Sequence, residues 1–237
     1  MLLLAIDSAT PVAGVALWGD GRILREEYSD YKQTHSRDLM PMVDRILRSC
    51  EVDIKEISVL GVTIGPGSFT GLRIGLATVK GLAMAANLPV VGISTLEMMA
   101  HNFAHNSALV CPLLDARKNE VYTAFFDVHS SYPRRLSKDL FCSPSEFVEI
   151  VKEQRIELNY EKVILLGNGY TPYSEYFQNE LGEEYALAPA HLMYPRAGAL
   201  ASLAVERAIK EEFDDVRTIK PVYVRLSEAE YQLGKEA

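Results

Sequence analysis

Apolar and polar positions in the first half of the chain alternate in an order that predicts three strands followed by helix–strand pairs. Short apolar runs predict strands at 2–6, 12–18, 22–28, 59–64 and 90–93. Apolar residues at helical spacing predict an amphipathic helix over 36–50, and a segment rich in Leu, Ala and Met predicts another over 72–86. Ser94 and Glu97 form a capping box that starts a third helix, ending near Ala104.

The second half of the chain repeats this order. Strands are predicted at 109–114, 121–127, 135–141 and 163–166, and helices at 144–152, around 173–181 and over 196–212. Repetition of one order of elements indicates a duplicated fold. We therefore predict an α/β protein with the duplicated ribonuclease H-like (actin-like, ASKHA) fold, built from two βββαβαβα-type halves. The predicted halves are 1–106 and 107–237, with 196–237 packing back on the first half.

One stretch, Gly65-Pro66-Gly67-Ser68-Phe69-Thr70-Gly71-Leu72-Arg73-Ile74-Gly75, joins a buried strand to a long helix. Such joints bind anions when the helix N-terminus is free. The glycine spacing fits neither the Walker phosphate loop nor the dinucleotide fingerprint. A second interpretation concerns the helix itself. Gly71, Gly75 and Thr78 form a stripe of small residues on one face, which favours close approach of another backbone.

Composition narrows the classes of function. The net charge of -8 over 237 residues argues against a protein that grips nucleic acid phosphates by itself. Three cysteines without a CxxC pair, Cys50, Cys111 and Cys142, fit a reduced cytoplasm. The chain start lacks the pattern of a signal peptide, and no stretch approaches the length of a membrane span, so we expect a cytoplasmic protein with no membrane partner.

Several motifs together resemble one protein family. The eleven-residue run from Gly65 to Gly75, the opening segment 5–10, the helix start at 35–36, the segment 114–117 and the ending 220–225 are similar to TsaB, the bacterial tRNA threonylcarbamoyladenosine biosynthesis family also called YeaZ. The resemblance covers essentially the whole chain. It implies a non-catalytic subunit that supports the catalytic subunit TsaD in forming N6-threonylcarbamoyladenosine at position 37 of ANN-decoding tRNAs.

The resemblance also implies partners. TsaD and the ATPase TsaE complete the complex, ATP and a metal ion belong to those subunits, and tRNA is met only through the complex. Alone, such a chain forms a homodimer. We expect no catalytic residue and no cofactor of its own here. The predicted partner interface uses the two helices that follow the first hairpin and the motif loop, and its residues are Ser36, Leu39, Val43, Gly71, Arg73, Gly75 and Thr78.

The motif loop supplies six candidate site residues, Gly65, Pro66, Gly67, Ser68, Phe69 and Thr70. Few other residues are candidates. Asp7, Ser8 and Thr10 follow the first strand, where ATP-binding relatives of this fold direct a carboxylate at metal or phosphate, and they form a vestigial site or an ordinary Asx turn. His101 and His105 have metal-ligand spacing, but without a third ligand we predict no metal. Two alternatives stay open at this point: a free-standing ATPase or small-molecule kinase of the same fold, and a peptidase.

Overall fold

The computed structural model describes residues 1–30 and 35–224, and its first half is a five-stranded mixed sheet. The strands run in the order β3-β2-β1-β4-β5. β1 pairs antiparallel with β2 and parallel with β4, which pairs parallel with β5. Their bounds are β1 Leu2–Asp7, β2 Ala13–Gly19, β3 Arg22–Ser29, β4 Val59–Gly65 and β5 Val90–Ser94.

Three helices belong to this half: α1 His35–Ser49 and α2 Phe69–Ala86 connect its strands, and α3 Thr95–His101 follows β5. Local signals set the ends of α2. The Ser68 side chain accepts a hydrogen bond from the Gly71 backbone N–H, and Asn87 ends the helix in the left-handed conformation. α1 and α2 pack on the same sheet through a cluster of aliphatic side chains that includes Leu39, Val43 and Leu76.

The second half repeats the strand order of the first, as β10-β7-β6-β11-β12. Two additional short strands, β8 and β9, extend from β6. The bounds are β6 Leu109–Arg117, β7 Glu120–Thr123, β8 Phe126–Asp127, β9 Arg134–Arg135, β10 Leu140–Cys142, β11 Val163–Leu166 and β12 Tyr185–Leu187, with helices α4 Pro144–Glu157, α5 Ser174–Glu180 and α6 Ala197–Ile209. The predicted duplicated α/β fold is confirmed, whereas the single strand expected over 135–141 is two short strands separated by a loop.

The last helix lies against the first sheet. Leu200 and Ala204 of α6 pack with Leu3 and Ala5 of β1, and Gly61 lets the helix come close, because a Cβ there would lie 3.1 Å from the Cβ of Ala204. The structure thus shows α6 packed on the first half. The boundaries of the two halves, 1–106 and 107–237, stay predictions. Nowhere in the described ranges is there a helix long and apolar enough to cross a membrane.

Beyond α6 the chain runs along the open edge of the first sheet, in a segment that we call the strap (residues 210–224). Asp214 donates its backbone N–H to the carbonyl oxygen of Val90 at 2.8 Å. Ile219 enters the core of the first half, and the Val222 N–H bonds the carbonyl oxygen of Ile64 at 2.7 Å. The strap therefore covers the edge of β5 and ends beside the start of α2.

Candidate functional site

The carboxylate that ends β1 is enclosed by the fold. Asp7 is 1% exposed, and its Oδ1 accepts hydrogen bonds from the Thr63 hydroxyl at 2.6 Å and the Ala9 N–H at 3.0 Å. Its Oδ2 is buried without a partner among the residues that the structure describes. Burial raises the pKa of Asp7 above its usual value, because desolvation penalises the charged form. The carboxylate therefore closes a turn and does not face a solvent-filled site.

The start of α2 fills the space in front of that turn. A Cβ on Gly67 would overlap the carbonyl oxygen of Ala9, and a Cβ on Gly71 would overlap that of Ser8. The Ser68 N–H donates to the Ala9 carbonyl at 2.7 Å, and the Ser8 hydroxyl donates to the Gly71 carbonyl at 2.8 Å. Glycine is required at these positions because two backbones meet there without room for a side chain. A phosphate group has no room between Ser8 and the helix.

The strap closes the same loop from the other side. Gly65 has a φ of +114°, a conformation that favours glycine, and a Cβ there would lie 2.8 Å from the carbonyl oxygen of Val222. Next to it, the rings of Phe69 and Tyr223 stack with centroids 5.1 Å apart. The Arg73 guanidinium lies 3.8 Å from the Phe69 centroid, and Arg73 Nε donates to the Tyr223 hydroxyl at 3.0 Å. The motif loop is thus a structural joint between β4, α2 and the strap.

The structure corrects the predicted interface. Leu39 and Val43 are 1% and 2% exposed and belong to the core of the first half, and Gly71 and Gly75 are buried against Ser8. These four residues pack inside the fold and present little exposed surface. Of the other predicted residues, Ser36 and Arg73 are exposed and Thr78 is half-buried.

A different face of α2 is open to solvent. Arg73, Ala77, Gly81 and Met84 follow one another at helical spacing and are all exposed, with Met84 at 77%. Among the described residues, no heavy atom outside the helix lies within 4 Å of the position that a Cβ on Gly81 would take. Sequence reasoning singled out the stripe of Gly71, Gly75 and Thr78 and not this exposed stripe, although the spacing 73, 77, 81, 84 was present in the sequence.

The two histidines, His101 at the end of α3 and His105 in the turn beyond it, do not converge on a shared site. His101 Nε2 lies 2.9 Å from the Ser202 hydroxyl, and the ring stacks on Tyr132. His105 Nε2 lies 3.4 Å from the Ser131 hydroxyl. Burial lowers the pKa of His101, which disfavours its charged form. Residues 1–30 and 35–224 contain no group of three or more His, Cys, Asp or Glu side chains that could hold a metal ion.

Thr10, the third residue predicted after β1, has a different setting from Asp7 and Ser8. It lines a cleft of about 160 Å³ between the two halves of the chain. The other polar residues of the cleft are His35 and Ser68 from the first half and Asp115, Arg117 and Asn168 from the second. Sequence reasoning did not single out His35 as a site residue, since a lone histidine at a helix start carries no spacing signal.

Comparison with known proteins gives consistent matches over nearly the whole chain. The family model described as "TsaD: tRNA N6-adenosine threonylcarbamoyltransferase" matches residues 23–233. The chain is 34% identical to the tRNA threonylcarbamoyladenosine biosynthesis protein TsaB of Escherichia coli (strain K12), over 100% of both chains. It is 31% identical to the protein of the same name from Bacillus subtilis (strain 168), over 97% of this chain and 96% of the relative. The solved structure of YeaZ from Pseudomonas aeruginosa matches with a TM-score of 0.77 and 26% identity, covering 94% of this chain and 99% of that one.

Proposed function

The chain belongs to the TsaB (YeaZ) family and to the wider domain family described as TsaD, and on that premise we propose that it is a non-catalytic subunit of the complex that makes N6-threonylcarbamoyladenosine at position 37 of ANN-decoding tRNAs. The membership confirms the resemblance that the motifs predicted. In this proposal TsaD carries out the transfer in the cytoplasm, and this chain holds it in an active state.

The enclosed turn after β1 is the observation that carries the non-catalytic part of the proposal. A carboxylate that directs a metal or a phosphate must face the ligand, whereas Asp7 is buried and bonds Thr63 and Ala9. The space in front of it is filled by α2. This arrangement argues against the ATPase and kinase alternatives at that turn.

We infer that the partner docks on the exposed face of α2 formed by Arg73, Ala77, Gly81 and Met84. Small residues at Ala77 and Gly81 let a second helix approach below the usual separation of about 8–10 Å. Methionine, aromatic residues and arginine are enriched at protein interfaces, and Met84, Phe69 and Tyr223 are all exposed.

A second copy of the chain and TsaD would use this same face, so the homodimer and the heterodimer are expected to compete. The net charge of -8 gives the isolated chain little attraction for tRNA at physiological salt, and we expect tRNA to be held mostly by the partner. TsaE joins the assembled pair in this proposal and supplies the ATPase activity.

Reconstitution tests the role directly. Purified TsaD, TsaE, a threonylcarbamoyl-AMP-forming enzyme and an ANN-decoding tRNA are assayed with and without this chain. Modified adenosine should form only when the chain is present, and Asp7→Asn should preserve the activity within a few-fold. Full modification without the chain, or loss of activity in Asp7→Asn with the complex intact, would contradict the proposal.

The interface is tested by Gly81→Leu. The added side chain meets open space in the single chain, so folding should be preserved, while it clashes with an approaching helix. We expect sedimentation to show association with TsaD weakened by roughly a hundredfold, equivalent to about 2.8 kcal/mol. Glu153→Leu, an exposed position of α4 in the second half, is the matched control and should associate normally. Equal association of both variants would exclude this face.

A further inference from the structure

The cleft between the two halves carries a histidine that is bonded to the backbone through one ring nitrogen. His35 Nε2 lies 2.8 Å from the backbone carbonyl oxygen of Thr10. A carbonyl oxygen only accepts hydrogen bonds, so Nε2 carries a proton. In the neutral ring Nδ1 is then an acceptor, and it is buried without a partner among the residues that the structure describes. Buried polar atoms are nearly always bonded, so this nitrogen calls for a donor other than the described residues.

The opposite wall of the cleft holds a fixed carboxylate. Asp115 Oδ1 accepts the backbone N–H of Arg117 at 2.8 Å, and the Asn168 side-chain oxygen lies 3.4 Å from the Asp115 N–H. These contacts hold the Asp115 carboxylate at the wall and leave the Asn168 amide group as a donor.

The positively charged residue of the cleft, Arg117, lies in a turn with left-handed backbone conformation. Arg117, Lys118 and Asn119 have φ values of +61°, +54° and +62°, and the Arg117 side chain lines the cleft. Within 1–30 and 35–224 its guanidinium makes no hydrogen bond or ion pair with another side chain. A guanidinium and a carboxylate therefore share one small space without pairing with each other.

We propose that this cleft binds a small zwitterion of the α-amino acid class, a role separate from the partner function. Arg117 and the hydroxyls of Thr10 and Ser68 hold the carboxylate of the ligand, while Asp115 and His35 Nδ1 accept from its ammonium group. The Asp115 carboxylate would repel a simple anion in the cleft, and the Arg117 guanidinium would repel a simple cation. The volume of about 160 Å³ is below the roughly 300–1,000 Å³ of typical pockets for larger ligands, which favours a ligand smaller than a nucleotide.

Calorimetry and amide chemical shifts of the full chain test the proposal with glycine, L-alanine and L-serine as probes. Acetate, ethylamine, inorganic phosphate and L-tryptophan are the comparison ligands. We expect the three small amino acids to saturate the same cleft resonances and to bind at least about tenfold more tightly than any comparison ligand. Absence of saturation by all three up to about 50 mM overturns the proposal, as does acetate or phosphate binding equally well.

Three variants and one control assign the contacts. Asp115→Asn keeps an acceptor for the Arg117 N–H and removes the charge, Arg117→Asn tolerates the left-handed backbone, and His35→Gln removes the Nδ1 acceptor. Each should weaken glycine binding roughly tenfold or more with the melting temperature checked in parallel. Asn119→Asp changes the charge of the same turn outside the cleft lining and should bind within a few-fold of wild type. Wild-type affinity in all three variants overturns the assignment, and the wild-type ligand series decides the proposal even where a variant fails to fold.

Discussion

Two alanine substitutions in one helix should change stability in opposite directions. Gly71 and Gly81 both lie in α2, but a Cβ on Gly71 would overlap the carbonyl oxygen of Ser8, whereas a Cβ on Gly81 would meet no atom of the described residues within 4 Å. Gly81→Ala should therefore gain the helix propensity difference of about 1 kcal/mol. Gly71→Ala gains less helix propensity, since Gly71 lies in the first turn of α2. Its added Cβ also forces the backbone of α2 away from the backbone at Ser8.

The size of the loss follows from the overlap. The Cβ on Gly71 would lie under 3.0 Å from a backbone atom, which real Cβ atoms essentially never show, so β1 and α2 must shift. Overpacking of this kind costs about 1–3 kcal/mol. Losing the Ser8 hydroxyl bond to the Gly71 carbonyl adds about 1 kcal/mol. After the small gain from propensity, we expect a net loss of about 2 kcal/mol for Gly71→Ala.

Thermal unfolding followed by circular dichroism measures both variants. For a chain of this size 1 kcal/mol corresponds to about 2–4 °C, so Gly81→Ala should melt about 2–4 °C higher and Gly71→Ala about 4–8 °C lower than wild type. Urea unfolding should give the same order with unchanged slopes. A Gly71→Ala variant as stable as wild type, or two shifts of the same sign, would refute the packing of α2 on the β1 turn.

Three further predictions concern the same joint. Burial raises the pKa of Asp7 in the folded state, so the stability that Asp7 contributes is complete below pH 3.8 and is lost as the pH rises through the raised pKa. Asp7→Asn should therefore have a higher free energy of unfolding in urea than wild type at pH 7. This difference should disappear near pH 3.8. Tyr223→Ala should lower the free energy of unfolding by about 1 kcal/mol through loss of the Phe69 stack, and Tyr223→Phe should retain most of it; equal losses in both would rule out the stack as the cause. Gly75→Leu places a side chain against Ser8 and should lower the melting temperature of the single chain, and a normal melting temperature with lost association would restore Gly75 to the interface.

The sequence by itself determined the elements and their order. Periodicity is a local signal, so the strand before the motif loop, the helix after it and the repeated order of strands and helices were readable from neighbouring residues. The predicted strand over 135–141 failed because Arg135 pairs with Asp139 and Ser137 accepts the N–H of Phe125, contacts that only the folded chain provides.

Tertiary structure alone decided which side of α2 faces inward. Glycine has no side chain to mark a buried or an exposed face, so the sequence could not tell Gly71, which packs on Ser8, from Gly81, which faces solvent. A carboxylate after a strand fits a ligand site and a closed turn equally well. In the folded chain α2 lies in front of Asp7, so this carboxylate closes a turn. The cleft arises for the same reason, since His35 and Arg117 are far apart in the chain and meet only when the two halves pack together.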